Sequence, residues 1–195
     1  MMSEGASREK KLIRAPGELV SKLNEAANRE GKTLYSCISE IFEQAVRAYE
    51  MKRSLKEIID DYEILEVHKE AGTVFTPRDV IEYLVREVCN ENKNDETLAR
   101  LWYQTGKWYG IYLKERFNDS VEAFLRLLRE GRWDLNDVNL NRNGESLEFK
   151  CISPFLSQER TKLIQKFIEG AMNSLGYKIQ GNECFKGIIR LKFSI

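Results

Sequence analysis

The sequence predicts an α+β protein built from two modules with helices between them. Three observations carry this. Apolar residues recur at helical spacing from Leu19 to Leu128, Asn143-Gly144 lies between two alternating runs, and the chain closes on the strand-like runs YKIQ and GIIRLKFSI. A chain of 195 residues, 42% hydrophobic and 32% charged, is long enough to bury a core in one or two domains. Lys plus Arg equals Asp plus Glu at 31 each, so binding to nucleic acid or membrane has to come from a local patch. The opening MMSEGASREKK lacks the apolar run of a secretory leader, and no stretch approaches the roughly 18 apolar residues of a membrane span. A cytoplasmic protein with no membrane partner is expected. Cys37, Cys89, Cys151 and Cys184 lack C-x-x-C spacing and are read as reduced thiols.

In chain order, Lys10 to Ala15 alternates like a short strand. Pro16 then opens a helix with Leu19, Val20, Leu23 and Ala26/Ala27 on one face, which Gly31 ends. Thr33 caps a second helix striped by Ile38, Ile41, Phe42, Ala45, Val46 and Tyr49. Ser54 and Glu57 form a capping box for a third helix that stops near Gly72, and Thr76-Pro77-Arg78-Asp79 starts a fourth running to about Cys89. These two helices are read as a connector over residues 54–95, after an N-terminal module over 1–53 and before a C-terminal domain over 96–195. The polar run Glu91 to Asp95 reads as a loop.

An aromatic-rich helix follows from about Leu98 to Phe117, then one capped by Asp119 or Ser120 that ends at Gly131. Val138 to Leu140 and Ser146 to Ile152 flank Asn143-Gly144 as a hairpin, with Leu147, Phe149 and Cys151 on one face. Ser157 caps a helix ending at Gly176, and two strands, separated by GNECFK, complete an antiparallel sheet.

One short strand and two helices cannot cover their own apolar face, whereas two copies can pair into a ribbon over four helices. The order LIRAP, LVSKLNEAANREGKT, ISEIFEQAVRAYE resembles the ribbon-helix-helix DNA-binding family. The resemblance implies a homodimer whose ribbon enters the major groove. It places Lys10, Leu12 and Arg14 toward the bases and Lys11, Ile13 and Ala15 toward the core. Arg and Lys suit guanine edges, and Leu12 suits a thymine methyl. The amides of Thr33, Leu34 and Tyr35 at the second helix's start would hold a phosphate. Residues 1–53 hold ten basic and eight acidic side chains, so a ribbon that only dimerises is the alternative.

The second half carries GKWYGIYLKERF, a leucine-rich helix and KFIEGAMNSLGYKIQGNECFKGIIRLKF. In this order it resembles the 4-vinyl reductase-type small-molecule-binding domain, related in fold to haem-NO-binding domains and TRAPP subunits. The resemblance implies a sensor-like domain holding a small apolar or aromatic ligand. A cavity is expected between the aromatic helix and the strands, lined by Trp102, Tyr109, Tyr112, Phe149 and Phe167 with Cys151 or Cys184 at its mouth. Gly106, Gly110 and Gly170 mark places where another backbone comes close. Trp108 is assigned to packing on the sheet.

No hydrolase, metalloprotease or phosphate-loop motif occurs, and His68 has no partner at metal spacing; it is read as a surface or hydrogen-bonded histidine. Neither catalytic residues nor metal or other cofactor are expected. The sequence therefore reads as a non-enzymatic, ligand-responsive transcription regulator, with a dimeric ligand-binding or scaffold protein as the alternative.

Overall fold

The computed structural model describes residues 11–90, 95–131 and 133–195. The chain divides into two units, Met1–Ile59 and Asp60–Ile195.

In the N-terminal unit Pro16 fixes the entry to helix α1 (Gly17–Arg29), and Gly31, at φ +67, turns the chain where a side chain would be strained. Thr33 accepts a hydrogen bond from the Ser36 amide at 3.1 Å and so starts α2 (Leu34–Glu50). Helix α3 (Leu55–Glu70) begins on the expected capping box: the Ser54 amide donates to Glu57 at 2.6 Å and the Glu57 amide to the Ser54 hydroxyl at 3.2 Å. Only Ala27 and Ala48 are buried among the described residues of α1 and α2. Leu19, Phe42, Val46 and Tyr49 are exposed. Lys11–Pro16 carries no helix or strand, contrary to the strand its alternation suggests. A segment this short has no ladder to join inside its own chain.

The C-terminal unit holds the rest of α3 and four further helices, α4 (Arg78–Asn90), α5 (Asp95–Arg116), α6 (Ser120–Glu130) and α7 (Gln158–Ser174). Its antiparallel sheet has the order β1-β2-β4-β3, formed by β1 (Asp137–Asn143), β2 (Ser146–Ile152), β3 (Lys178–Phe185) and β4 (Ile188–Ser194). The class is thus α+β. Asn143 pairs with Ser146 around a two-residue turn whose Gly144 sits at φ +58. The last hairpin differs from the sequence reading: GNECFK is not a loop but mostly strand, since the ladder to β4 continues past an irregularity between Ile179 and Gly181. The turn is Lys186-Gly187 instead.

Leu147, Phe149 and Cys151 on β2 and Ile189, Leu191 and Phe193 on β4 form the buried face of the sheet. Ile64 and Val67 of α3 join the same core, which is why that helix, beyond Ile59, belongs to this unit and not to a separate connector. Helices α5 and α7 meet through glycines. A Cβ at Gly106 would run into the Phe167 carbonyl, one at Gly110 into the Ala171 carbonyl, and one at Gly170 into the Tyr103 carbonyl. Among the described residues, no helix is long and apolar enough to cross a membrane.

Candidate functional site

The close α5–α7 contact leaves one face of α5 to line a cavity of about 880 Å³ within the C-terminal unit. That volume is within the range of small-molecule sites. From α5 come Leu98, Trp102, Thr105 and Tyr109, spaced three or four apart as one helical face requires, and from α7 comes Phe167. The segment from Thr73 to Ile81 forms another wall, and Gly131, Trp133, Asp134 and Arg160 complete the site. Its rings interlock: Trp133 lies 4.4 Å from Phe167 between centroids, Tyr109 meets Phe167 edge-on at 5.2 Å, and Trp102 meets Trp133 edge-on at 6.0 Å.

Polar groups gather in two places. In the first, the Tyr109 hydroxyl lies 2.6 Å from the Thr73 hydroxyl and 2.8 Å from His68 Nδ1. His68 Nε2 and Trp133 Nε1 are buried without a hydrogen-bond partner, and both flank Gly131: a Cβ placed there would lie 2.7 Å from the first and 2.5 Å from the second. Burial holds the His68 imidazole below its ordinary pKa, so it is neutral at pH 7. Burial likewise pushes the Tyr109 phenol up, against the opposing effect of the Thr73 hydrogen bond.

In the second place Arg160, with a side chain only 7% exposed, reaches Asp134 at 2.9 Å and Glu82 at 3.1 Å. Asp134 also pairs with Arg78 at 3.1 Å. Burial raises the Asp134 pKa, but the hydrogen bonds and charges of Arg78 and Arg160 outweigh it and leave the carboxyl below its usual range. Asp134 occupies the left-handed region at φ +59, a conformation that its two arginine partners help to hold. Arg160 Nε remains without a partner.

Of the ligand-contacting residues expected from sequence, Trp102, Tyr109 and Phe167 line this cavity. Tyr112, Phe149, Cys151 and Cys184 do not, because the cavity lies against the Thr73–Ile81 segment and not between α5 and the strands. Phe149 and Cys151 face the sheet's filled core, where burial pushes the Cys151 thiol up to about 12 and makes it a poor nucleophile. Cys184 sits half-buried on β3, its thiol also raised by burial. Tyr112 faces outward, bonded to Glu70 and Arg116. Trp108, assigned to the sheet, instead stacks on Tyr112 with centroids 5.0 Å apart.

In the N-terminal unit Lys10 lies outside the described residues, while Leu12 is 94% exposed and Arg14 is exposed. Thr33 serves as the cap described above, Leu34 is half-buried and Tyr35 is exposed. Sequence reasoning missed Thr73, Trp133, Asp134 and Arg160, whereas His68, read as a surface or hydrogen-bonded histidine, is buried with Nδ1 2.8 Å from the Tyr109 hydroxyl. Only Trp133-Asp134, a large aromatic and an acid just after a helix-ending glycine, offered a local signal. Among the described residues no group of three His, Cys, Asp or Glu side chains is placed to hold a metal. No protein-family model, curated protein or solved structure matches the chain.

Proposed function

We propose that the protein is a homodimeric, ligand-responsive DNA-binding regulator whose C-terminal unit receives a small, uncharged and largely apolar molecule carrying one oxygen. The observation that carries this reading is the aromatic cavity with the unpartnered ring nitrogen Trp133 Nε1 in its lining. Buried polar atoms are costly without partners, and an oxygen accepting from the indole N–H would relieve that cost. The indole only donates, so a hydroxyl or carbonyl oxygen suits it. An anion is disfavoured because Arg160 already faces Glu82 and Asp134, which leaves no uncompensated cation in the site.

The N-terminal half of the proposal rests on the resemblance to the ribbon-helix-helix order and on the exposed apolar residues of α1 and α2. Phe42, Val46 and Tyr49, exposed among the described residues, call for a second copy. Lys10, Leu12 and Arg14 are the proposed base readers, and the start of α2 the proposed phosphate contact. The small excess of basic over acidic side chains in residues 1–53, ten against eight, favours the second reading, in which this unit dimerises without reading DNA.

Thermal-shift titration of the full chain with 2-naphthol and with 2-naphthoic acid tests the ligand. Stabilisation by the first and not the second is expected, and stabilisation by neither overturns the sensor reading. Selection from a random DNA pool at low salt tests the other half. Enrichment of a palindromic motif supports DNA reading, and none supports the dimerisation reading.

A further inference from the structure

We propose that Thr73–Ile81 together with α4 is a hinged door over the cavity, latched by the ion pairs of Arg160 with Glu82 and of Asp134 with Arg78. The inference rests on the cavity being a ligand site and adds how that site is entered.

The door is held differently from everything around it. Val85 is the one buried residue among the described residues of α4, whereas α7 has ten. Val74 and Phe75 line the cavity yet are 80% and 67% exposed, so apolar burial does little to hold the segment down. Besides Val85, what ties it to the body is polar: Thr73 to Tyr109 at 2.6 Å, Arg78 to Asp134 at 3.1 Å, and Glu82 to Arg160 at 3.1 Å. The Arg78 guanidinium also lies 4.6 Å from the centre of the Phe155 ring. Gly72, at φ +70 with nothing within 4 Å of where a Cβ would sit, supplies a hinge immediately before Thr73.

Both latches meet at Asp134 and Arg160. Arg160 is buried on α7, a helix fixed by the core, and so acts as the post. Glu82 and Arg78 ride on α4 and act as the bolts. Losing both bolts frees the door, while Arg160 keeps Asp134 as a partner and is not left as an uncompensated buried charge.

The test uses the full chain in a Trp108→Phe background, because Trp108 is outside the cavity and 40% exposed and would dominate quenching. In the Arg78→Gln/Glu82→Gln variant, amides over residues 73–89 should exchange about tenfold faster than in the parent, with α7 amides unchanged. Acrylamide quenching of the two remaining tryptophans, Trp102 and Trp133, which both line the cavity, should rise about twofold. Unchanged exchange over 73–89 overturns the door, and so does equal acceleration in α7, which would mean general loss of stability. If the double variant does not fold, Arg78→Gln alone, altered at the more exposed latch, gives the same readouts at smaller size. Neither readout uses a ligand, so failure of 2-naphthol to bind would overturn the sensor reading while leaving the door tested on its own.

Discussion

The two units bury their apolar residues in different ways. In the C-terminal unit Tyr109, Phe124, Phe149, Phe167 and Phe193 are all fully buried, and glycines let α5 and α7 close to backbone contact. In the N-terminal unit two helices of comparable amphipathic character bury two alanines and leave Leu19, Phe42, Val46 and Tyr49 in solvent. The difference teaches that amphipathicity states a demand for burial without saying which molecule meets it. One unit satisfies the demand from its own chain, and the other leaves it unmet among the described residues, which is the demand the proposed dimer would answer. The first should therefore have a stability independent of concentration, and the second should not.

The sharpest way to break this comparison is to remove the self-sufficiency of the C-terminal unit. Phe167→Ala deletes a ring that touches Trp102, Tyr109, Phe124 and Trp133, and is expected to cost about 3–5 kcal/mol. Urea unfolding followed by tryptophan fluorescence measures it; a cost under about 1 kcal/mol would mean that this core is not what holds the unit. Next in size, Phe42→Glu places a charge on the exposed face of α2. It should abolish self-association worth about 1.5–3 kcal/mol per buried side chain while leaving the C-terminal transition in place. Analytical ultracentrifugation across a dilution series reads this directly, and a wild-type monomer at every concentration would erase the contrast between the units.

A smaller effect follows from pH. His68 is neutral when folded because burial lowers its pKa below the ordinary 6.5, while in the unfolded chain it titrates normally. Below pH 6.5 the unfolded state therefore binds more protons, and stability falls with pH until the lowered folded pKa is reached, by at most about 1.4 kcal/mol per pH unit. His68→Gln should flatten that part of the profile; an identical profile would show that His68 is solvated. Smallest is Asp119→Ala. It removes the α6 cap, which accepts from the Glu122 amide at 2.9 Å, and the pair with Arg142 at 3.1 Å. About 1 kcal/mol is expected in the C-terminal unit, with Asp119→Asn losing less because it keeps the cap.

The sequence by itself determined the local grammar. Thr33, Ser54 with Glu57, Asp119 and Ser157 cap the helices they were expected to cap, and Gly31, Gly144 and Gly176 turn the chain at positive φ. Each of these acts across four residues or fewer, so the residues involved stand side by side in the text. Tertiary structure alone decided which aromatic residues face the cavity. Tyr109 and Tyr112 are both one helical turn from Trp108 or beside it, yet one turns inward to His68 and the other outward to Glu70. It also decided the polar anchors, since Thr73 meets Tyr109 from 36 positions away and Glu82 meets Arg160 from 78. Contacts over such separations depend on how whole elements pack, and a periodic stripe specifies that a face is buried, not which partner buries it.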